Sequence, residues 1–520
     1  MNYLHLLLLL IPALAIAAIV LRACPKTTAT VATAANFLLS VVIFFLYVQH
    51  QAANPGGSLM KPFDFDAPWA ALPGLPTIHL HFAIDGLNLP LIILATTVSL
   101  AAILVSPADC KRNREFFSYL LLMSLGGIGA FLSFDLFFFY IFHEFALIPT
   151  FLLIGIWGPQ NRSYAAMQIT LYLTLGSLLL LGGLVLLVLS VPAEVRTWDM
   201  LLLQQNLLVQ LKDVSARGDV YTHFIFAYPL LLIGFGILIS LFPFHSWAPA
   251  GYAAAPPGAA MLHAGVLKKF GVYGLLRIAA PLIHLPTTSI NDPVYVSWAG
   301  WAGMWQIILI LLLVGNILYI GFVTIAQKEL QTMLGYSSVM HMGYLFLGLV
   351  AFNQVGLCGV VLLMVAHGLS AALLFGLAGE IQQRTGENRM DKLGGLATQA
   401  PMLATFFLIG SMASIGLPGL ANFSGELLIF MGGFQTYPSV TFLAVWGVVI
   451  SGIYQLRAVA KIFYGPKPAP LPNAPEVTDL TFTARLPYIL LIAALFLFGM
   501  APQILLQIVQ PSISKLLGGV

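Results

Sequence analysis

Residues 242–277 read FPFHSWAPAGYAAAPPGAAMLHAGVLKKFGVYGLLR, a mostly apolar stretch that prolines and glycines interrupt and that carries Lys268 and Lys269. A cation at membrane depth costs roughly 2.5 kcal/mol or more, and irregular backbone there survives only where protein or a cavity satisfies it. A broken helix beside a buried lysine therefore predicts an ion or proton path. The alternative is a loop at the membrane edge whose lysines reach the surface.

The composition places the chain among polytopic membrane proteins. Of its 520 residues, 59% are hydrophobic and only 8% are charged, against about 25% in soluble proteins. The net charge of +3 is too small to indicate a nucleic-acid partner. Cys24, Cys110 and Cys358 are far apart and have no metal-ligand spacing, so we expect neither a disulfide framework nor a metal site.

Apolar runs of about 20 residues, each long enough to cross a bilayer, recur along the whole chain. We expect an all-α membrane protein with about 14 transmembrane helices, the first of which is retained and not cleaved. The expected spans lie near 3–21, 31–47, 87–105, 116–132, 136–157, 165–189, 223–241, 256–280, 304–323, 333–352, 360–378, 402–430, 440–463 and 486–508. A long polar loop at 49–84 and an amphipathic run at 197–211 lie between spans.

The distribution of basic residues predicts the orientation. Most lysines and arginines of the loops fall in alternate loops, beginning with the loop after the first span. Because cytoplasmic loops carry an excess of these residues, that side is expected to be cytoplasmic, with both termini on the outer side.

A weak internal symmetry divides the chain. Spans four to eight contain Glu144 and a break at Phe242–Pro243, and spans nine to thirteen contain His341 and a Pro/Gly break in SIGLPGLANFSGELLIF (414–430). Paired broken helices indicate two inverted five-helix repeats. The expected domains are N-terminal helices (1–110), a first repeat (111–280), a second repeat (301–465) and a C-terminal helix (480–520).

Five titratable residues within spans are candidates for a proton relay: Glu144, Lys269, His341, His367 and Glu426. Ionisable groups within spans are rare and mark proton or ion pathways, and histidine titrates near neutrality. Glu144 has a second interpretation as a neutral, hydrogen-bonded structural acid. Adjacent helical residues point about 100° apart, so we expect only one of Lys268 and Lys269 to face the same interior line and the other to have an interfacial or helix-facing role. Arg277 is expected to anchor a span end, and Asp135 to cap a helix.

Several stretches, in this order and spacing, resemble the antiporter-like membrane subunits of respiratory complex I, a family shared with Mrp-type cation/proton antiporters and membrane-bound hydrogenase complexes. They are HEFALIP (143–149), the block at 242–277, AQKELQTMLGYSSVMHMGYLFLG (326–348), HGLSAALLFGLAG (367–379), QRTGENRMDKLGGLA (383–397) and GLPGLANFSGE (416–426). An acid at the position of Glu426 is similar to the M-type chain of the family, where L- and N-type chains usually carry lysine.

The resemblance implies a non-redox, proton-translocating subunit of an NADH-quinone oxidoreductase, without a cofactor of its own. It places Glu144, Lys269, His341, His367 and Glu426 on the family's central proton axis. It also implies L-, N-, K-, J-, A- and H-type chains and a peripheral arm as partners, and a bacterial cytoplasmic membrane as the location.

The chain departs from the family pattern in its first half. The lysine that the resemblance implies in the seventh span falls on Leu238, a sixth-span lysine falls on Gln168, and the family's Pro-Asp-Ala-His is here PAGY (249–252). Three functions therefore stay open: a proton-translocating subunit, a cation/proton antiporter or hydrogenase-complex subunit, and a structural homologue that does not pump.

Overall fold

The computed structural model describes residues 3–54, 63–71, 73–159, 162–212, 217–283, 293–466 and 477–518. Through residue 283 its helices are α1 (Leu7–Val20), α2 (Pro25–Ala53), α3 (Leu89–Val105), α4 (Asn113–Leu132), α5 (Leu136–Trp157), α6 (Arg162–Leu189), α7 (Met200–Lys212), α8 (Arg217–Ile239), α9 (Trp247–Ala253), α10 (Pro257–Leu262), α11 (Lys268–Gly274) and α12 (Ala280–Ile283). The later helices are α13 (Pro293–Val314), α14 (Ile320–Ala326), α15 (Leu330–Ala351), α16 (Gln354–Thr385), α17 (Pro401–Ile415), α18 (Ala421–Thr436), α19 (Pro438–Val459), α20 (Phe482–Met500) and α21 (Gln503–Gly518).

The predicted helical membrane fold is confirmed. Each expected span overlaps a helix or a pair of broken helices, because a helix satisfies every backbone polar group within its own segment. Within the described residues, nine helices are long and apolar enough to cross a bilayer, and four shorter apolar helices accompany them. The count of fourteen spans and the side of the membrane on which the chain ends lie stay predictions.

The polar loop at 49–84 contains a hairpin that we did not predict. Strands β1 (Asp64–Ala70) and β2 (Ile78–Ala83) pair antiparallel, with a register shift between Pro68 and Ala70 where a proline cannot donate to the ladder. The parts of this loop at 55–62 and 72 lie outside the described residues. The hairpin packs near the start of α5, where the backbone nitrogen of Phe134 donates to the His81 carbonyl.

Residues 257–283, named here the lysine span, form one helical rod that is made of short α-helical and π-helical segments. A π-helical turn (His263–Leu267) separates α10 from α11, and a second (Leu275–Ala279) separates α11 from α12. Such π-helical turns are rare and cluster at functional sites. In this span the turns flank the two lysines.

Both predicted helix breaks are confirmed. Between α8 and α9 the chain leaves helix from Ser240 to Ser246, and between α17 and α18 from Gly416 to Leu420. The inverted relation of the two repeats and the domain boundaries stay predictions.

Helix α16 is the centre of the fold. Its membrane-crossing part is completely buried, and it packs against α3, α10, α15, α17, α18, α20 and α21. Polar side chains on α15 and α16 therefore face other helices instead of lipid.

Candidate proton-relay site

Lys269 lies at the centre of the site. Its ammonium nitrogen donates a hydrogen bond to the Ala264 carbonyl (2.6 Å) and lies 3.0 Å from Nδ1 of His367 on α16. The side chain is 0% exposed. A lysine amine in direct contact with an imidazole can pass a proton to it, because both groups are proton donors or acceptors according to their protonation state.

Of the two roles left open for the second lysine, Lys268 has the helix-facing one and not the interfacial one. Lys268 is 1% exposed, its ammonium nitrogen lies 3.3 Å from the Ser338 hydroxyl on α15, and it sits 5.7 Å from the centre of the Tyr252 ring. The two lysines do point in different directions, but α3, α4, α8 and α16 enclose the lysine span, and α15 receives Lys268. No face of the rod between its two π-helical turns is left for the lipid.

His341 and His367 continue the row from Lys269. Their ring centres lie 5.4 Å apart. Nδ1 of His341 lies 2.7 Å from the Ser337 carbonyl and Nε2 lies 2.9 Å from the Ser414 carbonyl. A neutral imidazole has one N–H, so only the protonated ring can donate to both carbonyl oxygens, and the pocket accommodates an additional proton.

Glu426 ends the row at the second helix break. It is buried, and its Oε1 lies 4.0 Å from Nε2 of His341. Among the described residues this oxygen has no hydrogen-bond partner. The structure thus brings together four of the five predicted relay residues, from four separate segments of the chain.

Glu144 belongs to a second polar group, on α5. It accepts a hydrogen bond from the Ser177 hydroxyl, which also contacts the Tyr140 hydroxyl (3.1 Å), and its Oε1 lies 3.7 Å from Nδ1 of His143. Leu238 is buried in α8, so an apolar side chain occupies the position of the implied lysine.

A polar cavity of about 690 Å³ opens beside the first helix break. Its lining includes Gln168, Ser246, Glu329, Tyr336 and Arg389. The amide of Gln168 lies 3.3 Å from the Ser246 hydroxyl, which in turn lies 3.1 Å from the Tyr172 hydroxyl. Water entering this cavity therefore meets hydroxyl and amide groups next to the broken helix.

Comparisons with known proteins decide the family. The family described as "NADH:quinone oxidoreductase/Mrp antiporter, TM" matches residues 133–452, more than half of the chain. The chain belongs to this family. The resemblance seen in the motifs is confirmed.

Two relatives match most of the chain. NADH-quinone oxidoreductase subunit M of Rickettsia bellii (strain RML369-C) is 30% identical over 492 residues, which are 94% of this chain and 92% of that protein. NAD(P)H-quinone oxidoreductase chain 4 1 of Synechococcus sp. (strain JA-2-3B'a(2-13)) is 34% identical over 400 residues, 75% of this chain and 70% of that one. The similarity to the Rickettsia subunit M thus extends over nearly the whole of both chains.

Solved structures show the same fold. A chain of respiratory complex I from Thermus thermophilus with bound NADH is 28% identical, with a TM-score of 0.82 and 99% of both chains covered. A chain of the Mrp complex from Dietzia sp. DQ12-45-1b is 18% identical, with a TM-score of 0.76 and coverage of 98% and 97%. At that identity, the second likeness supports the fold alone.

An ion pair that sequence reasoning missed lies at the end of the lysine span. Arg277 is 3% exposed, and its guanidinium donates to Oδ2 of Asp85 (2.6 Å) and to the Tyr273 hydroxyl (3.2 Å). The expectation that Arg277 anchors a span end at the interface is wrong, because Asp85, at the start of α3, reaches it inside the protein. A paired charge is tolerated in the interior where a lone one is not.

A cluster on the hairpin was also missed. Nδ1 of His81 lies 2.5 Å from Asp199 and Nε2 lies 3.1 Å from Asp64. Burial disfavours the charged ring, but the hydrogen bond and charge of Asp199, helped by Asp64, raise the pKa of His81 above its ordinary value. The alternation of Asp64 with Asp66 and His79 with His81 was the available signal.

Asp135, in contrast, is the predicted cap of α5. Its carboxylate accepts from the backbone nitrogens of Phe137 (2.8 Å) and Phe138 (3.4 Å). A side-chain oxygen at this position satisfies N–H groups that the helix leaves free.

Proposed function

We propose that this chain is a membrane subunit of an NADH-quinone oxidoreductase and carries protons across the membrane while partner subunits carry out the electron transfer. The observation that carries the proposal is the buried row from Lys269 through His367 and His341 to Glu426. Its contacts are 3.0 Å from lysine nitrogen to imidazole, 5.4 Å between the two ring centres and 4.0 Å from imidazole to carboxylate.

The chemistry of the row suits reversible proton transfer. Lys269 and His367 share one hydrogen bond, so one proton can reside on either group. His341 can receive a proton on one ring nitrogen and release one from the other. Glu426 ends the row with an oxygen that has no partner within the described residues, which leaves it able to take a proton from the ring. A charge arriving at one end changes the electrostatic energy of the next group, and this effect is large in a low-dielectric interior.

The names of the relatives favour this function over cation/proton antiport. The two relatives, which match 94% and 75% of this chain, are subunits of quinone oxidoreductases, whereas the Mrp likeness rests on the fold. The partners would be the other membrane subunits and the peripheral arm of such an enzyme. The location would be a bacterial cytoplasmic membrane with both termini outside.

The test is Glu426→Gln in the assembled enzyme, reconstituted into liposomes and driven by NADH. Glutamine keeps the shape and the hydrogen-bonding groups of glutamate but cannot exchange a proton at neutral pH. We expect the proton-transport rate per assembled complex to fall to roughly a tenth or less, since a proton carrier contributes on the order of 100-fold to a rate. The matched control is Glu115→Gln, at an exposed acid that pairs with Arg112.

Full transport by an assembled Glu426→Gln enzyme would remove Glu426 from the relay. Replacing potassium by sodium in the liposomes separates the alternatives, because a cation/proton antiporter would move sodium in step with protons.

A further inference from the structure

The first half of the chain has an acid without the cation that its family resemblance implies. Glu144 lies within α5, and the implied lysine position holds the buried, apolar Leu238. For Glu144 to exchange protons with the row that begins at Lys269, a proton-accepting group must lie between this acid and the lysine span. Among the described residues, the nitrogen bases nearby are His143 on α5 and His263, Lys268 and Lys269 on the lysine span.

His143 has the geometry for the role. Its ring is 8% exposed, and its Nδ1 lies 3.7 Å from Oε1 of Glu144. That nitrogen is buried and has no hydrogen-bond partner among the described residues. The gap is slightly longer than a hydrogen bond, and a small side-chain rotation closes it; catalytic hydrogen bonds are often this long before the reacting state forms.

The ring also reaches the lysine span. His143 stacks on Phe270, with ring centres 4.2 Å apart and planes 21° from parallel. Phe270 directly follows Lys269, and α5 contacts the π-helical turn His263–Leu267 as well. His143 therefore lies between the acid and the span that begins the buried row.

Lys268 does not fit the role. Its ammonium nitrogen contacts Ser338 on α15 and the face of Tyr252, which directs it towards the second half of the chain. The charged and titratable groups around the acid and the histidine are Tyr140 and Ser177 beside Glu144, and His263, Lys268 and Lys269 on the lysine span.

We infer that His143 carries the proton between Glu144 and the lysine span, in place of the lysine that Leu238 replaces. The carboxyl of Glu144 gives its proton to Nδ1, which leaves a carboxylate and an imidazolium. The ring then gives the proton on Nε2 to the neutral imidazole of His263 on the lysine span, its electrostatic neighbour, and returns to its neutral form. No other reactant is required, and the inference rests on the proposed function.

The experiment uses NADH-driven proton transport by the assembled enzyme in liposomes. His143→Phe keeps a ring to stack on Phe270 but removes the proton-carrying nitrogens. We expect transport per assembled complex to fall about tenfold or more. The double variant H143F/L238K restores a cation at the implied position, and we expect it to recover at least about half of the parental rate. His50→Phe, near the end of α2, is the matched control.

Parental transport by His143→Phe would overturn the inference. So would a double variant that assembles and stays as inactive as His143→Phe, since a cation at position 238 would then fail to replace the imidazole. Lys269→Met separates this from the proposed function. If Lys269→Met abolishes transport while His143→Phe does not reduce it, only the role of His143 fails; if Lys269→Met transports normally, the proposed function fails.

Discussion

The residue at position 238 determines whether Glu144 has a cation near it in the first half of the chain. With an apolar side chain there, the polar contacts of Glu144 are Ser177 and the neighbouring His143. A lysine in the same place would add a charge whose attraction to the carboxylate grows as the local dielectric falls. The state of Glu144 is thus set by the residues packed around α5 and not by the acid alone.

Leu238→Lys should change the proton binding of Glu144 and alter proton transport. A lysine at this depth is tolerable only with a counter-charge or water, and Glu144 is the acid that the resemblance pairs with it. The measurement is an infrared difference titration of the Glu144 carboxyl in both variants. An unchanged carboxyl titration in an assembled enzyme would show that position 238 is not electrostatically coupled to Glu144.

Gly416→Ala should weaken both folding and transport. Gly416 ends α17 with φ +84°, and a Cβ there would lie 2.4 Å from Oε2 of Glu426. A left-handed alanine costs about 1–2 kcal/mol, and its Cβ forces the Glu426 carboxylate to shift. The readouts are thermal stability and proton transport per assembled complex.

Gly386→Ala is the matched control for that variant. Gly386 ends α16 with φ +71°, and a Cβ added there would meet nothing within 4 Å. The Gly386→Ala variant therefore measures the effect of backbone strain alone. We expect both variants to lose similar thermal stability and only Gly416→Ala to lose transport. Equal transport in the two would contradict the idea that the glycine makes room for the acid.

A single histidine, His81, attaches the hairpin to the start of helix α7. His81 on β2 bonds to Asp199, which begins α7. Burial opposes the ionised form of Asp199, but its bond to His81 and its backbone hydrogen bonds hold the pKa of that carboxyl below its ordinary value. The pair is therefore strongest when the ring is protonated and the carboxylate is ionised.

Docking of the hairpin onto α7 should depend on pH. The raised pKa of His81 and the lowered pKa of Asp199 determine at which pH values the docking is strongest. A raised histidine pKa contributes stability that is fully present below its ordinary value of 6.5 and is lost as the pH rises through the raised value. A lowered aspartate pKa contributes stability above its ordinary 3.8 that is lost as the pH falls through the lowered value. The hairpin is thus most protected between about 3.8 and 6.5. Amide exchange of residues 64–83, corrected for intrinsic rates, measures it.

His81→Gln should reduce that protection and remove its dependence on pH above neutrality. His79→Gln is the matched control, because the pair of His79 with Asp66 is exposed and such pairs contribute little. Loss of protection in both variants, or in neither, would show that His81 does not fasten the hairpin.

The distribution of basic residues predicts the orientation of the chain, and natural cysteines can test it. Cys24 is exposed and Cys110 partly exposed, and both lie in loops predicted to be cytoplasmic; Cys358 is buried. A membrane-impermeant maleimide should label Cys24 only after cells are permeabilised. Trp69→Cys, at an exposed position of the hairpin, should be labelled from outside. Labelling of Cys24 in intact cells would reverse the predicted topology.

The spans, the two helix breaks and the cap at Asp135 could be predicted because each depends on local residues. An apolar run long enough to cross the bilayer must satisfy its own backbone, and prolines and glycines interrupt helix wherever they cluster. The relay candidates could be named for a related reason, since a titratable group within an apolar span is costly unless it has a function. Motif spacing added the family.

Only the tertiary structure decided which of these groups meet. Lys269 and His367 are 98 residues apart in the chain and in contact in space, and Arg277 and Asp85 are 192 residues apart. Packing between helices from distant parts of the chain buries both lysines and keeps Glu144 apart from the row. It also holds the hairpin in place. Local pattern fixes what each segment is, whereas the contacts between segments arise from packing around α16, and no periodicity within a segment encodes them.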